Sequence, residues 1–131
     1  MIYAFVFFIS SFNLFNDLQL TNFKFIEKSI SQTPFDTITI NKLASYVNNK
    51  VYVRCKIDEV YYPQNISDIY YLNAGGTHGN NIFGIRIFKN MNYLLTDKDV
   101  KGKEVIVFGT LVENTNFTIT LRYKNDLKIL K

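Results

Sequence analysis

Apolar and polar positions change period along the chain. From Lys50 to Tyr62 they alternate, with Val51, Val53, Cys55 and Ile57 on one side and Tyr52, Arg54, Lys56 and Asp58 on the other. A period of two over that length predicts a half-buried strand. Pro63–Asp68 carries turn residues and reads as a loop. Ile69–Ala74 predicts a second strand. Ile82–Lys89 predicts a third, with Phe83, Ile85 and Ile87 facing one way and Gly84, Arg86 and Phe88 the other. Between these two, Gly75–Asn81 holds Gly75, Gly76 and Gly79 and predicts a hairpin turn. Glu104–Val112 and Phe117–Tyr123 predict a fourth and a fifth strand, joined through Asn114-Thr115-Asn116. Leu127–Lys131 adds a short edge strand.

Two segments break the alternation. Asn41 reads as the N-cap of a short helix over Lys42–Val47, after an extended run Thr37–Ile40. Asn90–Val100 predicts a helical turn or two around Met91, Leu94 and Leu95. Five strands with a break between the third and fourth have the layout of an OB-fold, a partly open Greek-key barrel. Gly84 and Gly109 suit the bends of so small a barrel. The fold class predicted is therefore all-β. It is a five-stranded Greek-key barrel with one short helix before the first strand and another between the third and fourth.

Composition narrows the chemistry more than the fold. A chain of 131 residues holds one domain with its own core. Twelve Phe and nine Tyr favour strands. A lone Cys55 rules out an internal disulfide, and a lone His78 leaves no Cys/His metal spacing. No nucleophile–base pair or cofactor fingerprint is visible, so the expectation is a protein with no catalytic residues, metal or cofactor. The net charge of +4 and pI of about 9.1 suit a nucleic acid or an anionic surface. Twelve of the fifteen basic residues are Lys, and Asn and Ile each occur fifteen times, which also fits an AT-rich coding sequence.

Met1–Phe12 is apolar and uncharged, and the first charge is Asp17. The run is shorter than the roughly 20 residues that span a bilayer. It has the length of a signal-peptide core, with Ser10-Ser11 as small residues near a cleavage point, but no positive residues precede it. The division expected is an apolar N-terminal segment 1–12, read as a candidate signal peptide, a linker or arm 13–36, and a barrel domain 37–131. This favours an exported protein, periplasmic or secreted, over a cytoplasmic one.

Residues 37–130 resemble the small bacterial OB-fold nucleic-acid-binding domains of the anticodon-binding and helicase-associated type, and more narrowly a variety that is often exported. The likeness rests on Thr39-Ile40, Asn49-Lys50-Val51-Tyr52-Val53 and Tyr71-Leu72-Asn73-Ala74-Gly75-Gly76. It continues through Phe83-Gly84-Ile85-Arg86-Ile87 and the run from Gly102-Lys103 to Phe108-Gly109. Ala74 stands where that variety has an aromatic, Asn49 where it has glycine, and His78-Gly79 where it has tyrosine and proline. Position 74 is therefore expected to offer no ring to a base.

The outward positions of the first three strands interleave rings and cations: Tyr52, Arg54, Lys56, Tyr71, Asn73, Arg86 and Phe88. OB-folds bind single strands this way, with cations tracking phosphates and rings stacking on bases. The Gly75–Gly79 loop follows a strand but opens no helix, so it reads as a hairpin turn with Asn73 as its side-chain cap. His78 is expected to be a solvated loop residue and Cys55 a small buried apolar group. Asp58-Glu59 and Asp97/Asp99 are expected to be solvated surface carboxylates. Two functions are expected from these features. One is a non-enzymatic module for single-stranded nucleic acid or another anionic ligand. The other is an exported OB-fold protein with a protein or saccharide partner, or a structural role.

Overall fold

Seven strands carry the alternation: β1 (Thr37–Thr39), β2 (Lys50–Tyr61), β3 (Ile69–Ala74), β4 (Phe83–Phe88), β5 (Glu104–Glu113), β6 (Phe117–Thr120) and β7 (Leu127–Ile129). They are seen in a computed structural model that describes residues 35–131. The apolar Met1–Phe12 segment, and the arm as far as residue 34, lie outside the described residues. Five strands close a ring in the order β2-β3-β4-β6-β5 and back to β2. Within it β4 and β6 run parallel and the other neighbours antiparallel. This is the closed barrel of an OB-fold. β1 adds to β2 and β7 adds to β5, outside the ring.

Closure depends on two long strands that each serve two neighbours. The first half of β2 pairs with β5, from Lys50 opposite Thr110 to Lys56 opposite Glu104. Its second half pairs with β3, from Ile57 opposite Ala74 to Tyr61 opposite Tyr71. The change comes at Asp58, an extra residue between Ile57 and Glu59. Such a bulge sharpens the local twist and re-aims the rest of the strand. Strict alternation would have turned Glu59 inward. The bulge instead keeps Ile57 and Val60 buried and leaves Glu59 and Tyr61 on the outer side.

β5 bends at Gly109, where it leaves β2 for β6. A Cβ built there would lie 2.5 Å from Ile119 Cγ2, inside any tolerable contact. Gly109→Ala is therefore expected to destabilise the fold by about 1–3 kcal/mol through overpacking. A lower denaturation midpoint with an unchanged slope would bear this out, and an unchanged midpoint would contradict it.

The core gathers the inward positions of every barrel strand: Val51, Val53 and Ile57, then Tyr70, Leu72 and Ala74, then Phe83, Ile85 and Ile87, with Val105, Val107, Leu111 and Ile119 closing it. Cys55 is buried within it, as expected. Burial, reinforced by the charges of Asp58 and Glu104, pushes its thiol up to about 12. Since the thiolate is the reactive species, Cys55 is expected to ignore a thiol reagent such as Ellman's in the native state and to react once unfolded. Rapid reaction in native buffer would refute this.

The helical segments differ in kind from the expectation. The one before β2 is a 3-10 helix, Ile40–Tyr46, so Asn41 lies inside it and not at its cap. The hydroxyl of Thr39 bonds to the side chain of Asn41. Between β4 and β5 lie a 3-10 turn, Lys89–Met91, and a single turn of α-helix, α1 (Asp97–Val100). The chain between them is used as a strap. The buried hydroxyl of Tyr70 donates to Tyr93 O and accepts from the Leu95 amide at 3.1 Å, while Tyr62 donates to Leu95 O at 2.5 Å. Backbone groups bound by side chains are not available to a helix, which is why the helical turn is short. Asp97 and Asp99 are structural as well. Asp97 accepts the Val60 amide at 2.8 Å. Asp99 caps α1 through the Thr96 amide and hydroxyl, which hold its carboxyl below the usual range. Among the described residues no helix is long and apolar enough to cross a membrane.

Candidate functional site

One face of the barrel carries a row of side chains across four strands. Register sets Tyr61 of β2 opposite Tyr71 of β3, Tyr71 opposite Arg86 of β4, and Arg86 opposite Thr120 of β6. The next row is Glu59, Asn73, Gly84 and Thr118. Gly84 projects nothing, so the floor stays low between the neighbouring side chains. Around this floor stand three connections: Pro63 and Ile66 before β3, His78 and Gly79 in the β3–β4 turn, and Asn114–Asn116 between β5 and β6. The groove they enclose has a volume of about 370 Å³.

The β3–β4 turn is built from within. The Gly76 amide donates to Asp58 Oδ2 at 2.9 Å, and the His78 amide donates to Glu59 Oε2 at 2.8 Å. Glu59 Oε2 also accepts from Asn73 Nδ2 at 2.9 Å, and Asn73 Oδ1 accepts from Asn81 Nδ2 at 3.2 Å. The two adjacent carboxylates at the bulge thus have a structural task, where a merely solvated role was expected. They occupy two amides that a glycine loop would otherwise offer to an anion. Gly76 must stay glycine: its φ is +129°, and a Cβ would meet Asn80 O at 2.6 Å.

The anchored turn delivers His78 onto Tyr61. The two rings stack with centroids 3.8 Å apart and an angle of 8° between planes. His78 is an exposed loop residue, as expected, and what the structure adds is the ring of Tyr61 as its partner. Position 74 offers no ring to the groove, as expected, but burial is the reason: Ala74 points into the core. It is fully buried opposite Phe83, so a ring at position 74 would enter the core and never reach the groove.

Arg86 is the cation of the floor. Its Nε is buried and, among the described residues, has no hydrogen-bond partner. Its guanidinium lies 5.7 Å from the Phe88 ring centroid. Arg54 is in a different state, donating from Nε to Glu104 Oε1 at 2.6 Å in a half-exposed ion pair. Tyr52 packs on Phe108, which packs on Phe35, at centroid distances of 4.7 and 5.1 Å. Tyr52, Arg54 and Lys56 sit on the half of β2 that pairs with β5.

The structure thus brings together Tyr71, Asn73 and Arg86 in one groove and sets Phe88 beside it, while Tyr52, Arg54 and Lys56 are not part of its lining. Sequence reasoning missed Tyr61, His78, Asn81, Asn114, Asn116 and Thr118 as members of the same site. The signals available were the turn-forming asparagines and a tyrosine at the end of a strand, neither of which is specific.

These features define a class, an OB-fold barrel with a groove on its β3–β4 face. No family model matches the sequence, and no curated protein matches it. Among solved structures the chain is similar to the OB domain of a protein from Methanosarcina mazei, at 16% identity and a TM-score of 0.53, over 76% of this chain and 87% of that one. It is also similar to part of an aspartyl-tRNA synthetase from Leishmania major, at 12% identity and a TM-score of 0.49, over 76% of this chain and 22% of that one. At 16% identity the likeness to the first is one of fold.

Proposed function

We propose that this barrel is a binding module for single-stranded nucleic acid, held in the groove over β3 and β4 and not chemically altered there. OB-folds take oligonucleotides on the face of their second and third barrel strands, between the loop joining the first two strands and the loop joining the last two. In this chain those parts are β3 and β4, the 62–68 loop and the 114–116 turn.

The observation that carries the reading is Arg86, a guanidinium with a buried and unpartnered Nε set between Tyr71 and Phe88. An Arg fork matches a phosphate, and charge-assisted bonds are the strong ones. Tyr71 and the Tyr61–His78 stack offer rings to bases, at roughly 1–3 kcal/mol per stacked base. Among the described residues none that lines the groove is a carboxylate, and the nearby Glu59 is taken up by Asn73 and the His78 amide.

The test is fluorescence anisotropy with labelled single-stranded DNA and RNA at low and raised salt. Micromolar binding that weakens steeply with salt is expected. An absence of binding at low salt would overturn the reading and turn attention to a protein or saccharide ligand.

A further inference from the structure

A second depression, of about 600 Å³, lies beyond Phe88 and is lined by Phe88, Met91, Val112, Thr120, Arg122 and Tyr123 among others. Nothing in the expected binding face included Arg122 or Tyr123. Both are exposed, and Tyr123 shows 67% of its surface to solvent, which is unusual for a large ring. Among the described residues Arg122 forms no ion pair. Among the described residues none that lines this depression is a carboxylate.

The two depressions adjoin. Arg86 lines the first, and its guanidinium lies over the ring of Phe88, which lines the second. On β6, Thr118 lines the first and Thr120 the second, and both stand opposite β4. Cation and ring therefore recur in order, from Tyr71 of β3 to Arg86 and Phe88 of β4 and then to Arg122 and Tyr123 in the chain just after β6.

Resting on the reading above, we infer that the two depressions form one track. A single strand held at Arg86 continues past Phe88, gives a phosphate to Arg122 and stacks a base on Tyr123. At about 3.3 Å per residue, Gly84 to Phe88 alone covers roughly 13 Å. That is about four nucleotide rises of 3.4 Å in a stacked strand. From Gly84 a strand of about 4 nucleotides therefore reaches only as far as Phe88, at the near edge of the second depression, and only a longer one reaches Arg122 and Tyr123.

The experiment compares labelled oligothymidylates of about 4 and about 12 nucleotides, lengths within the site sizes of OB-folds. They are titrated into the wild-type chain, an Arg122→Ala/Tyr123→Ala double variant, and Lys128→Ala, which removes the same charge on β7. All three changed side chains are exposed, and circular dichroism would verify the fold. The double variant is expected to bind the 12-mer about tenfold more weakly, with its salt slope reduced by about 0.7, and to hold the 4-mer within twofold. Lys128→Ala should leave both within about twofold. Equal loss on both lengths, or no loss on the longer one, would overturn the track and leave the first groove standing. Failure of every strand to bind wild type at low salt would overturn both.

Discussion

Replacing Arg86 by Ala is expected to weaken single-strand binding by roughly 10- to 100-fold at low salt. A hydrogen bond to a charged group contributes about 1.5–3 kcal/mol, and each 1.4 kcal/mol is a factor of ten in affinity. The salt dependence should fall with it, by about 0.7 in slope for the one phosphate contact removed. Arg86→Lys keeps the charge and loses the fork, so it should recover only part of the loss. Stability should respond differently. Because Nε is buried without a partner among the described residues, Arg86→Met is expected to leave stability unchanged or slightly higher. Anisotropy and chemical denaturation on the same samples separate the two effects. Unchanged affinity in Arg86→Ala would remove this residue from the binding function.

Phe83→Ala should have the largest effect on folding. Phe83 is fully buried, opposite Ala74 on one side and Phe117 on the other. Truncating a buried Phe costs about 3–5 kcal/mol, the lost transfer energy plus that of the cavity left behind. Native stability is itself only about 5–15 kcal/mol, so much of it would go. Leu94, 60% exposed, gives the contrast. Leu94→Ala should stay within about 0.5 kcal/mol. Equal midpoints for the two variants in urea would contradict the core described above.

Much of the barrel was legible in the sequence because alternation is local. The runs Lys50–Tyr62, Ile69–Ala74, Ile82–Lys89 and Glu104–Val112 match β2 to β5 within one or two residues. The fifth run differs: Phe117–Tyr123 contains β6, which stops at Thr120. Beyond it the chain leaves the sheet, and Arg122 and Tyr123 line the second depression instead of pairing.

The expected binding face shows where local pattern runs out. Tyr52, Arg54 and Lys56 do lie on the outer side of the barrel, as do Tyr71, Asn73, Arg86 and Phe88. Outward on a cylinder is not one direction. β2 is shared between β5 and β3, so its two halves look to different parts of the surface. Glu104 answers Arg54 fifty residues away, a pairing that no local pattern announces.

By itself the sequence determined that the chain forms short strands, which side of each strand is apolar, and where the glycines allow it to turn. Those follow from side-chain period and backbone sterics, which act between near neighbours. The tertiary structure decided the bulge at Asp58, the use of Asp58 and Glu59 to hold the β3–β4 turn, the stacking of His78 on Tyr61, and the meeting of Tyr71 with Arg86 over a groove. Each depends on barrel closure, which brings distant segments to one place, and the energy of those contacts appears only once they meet.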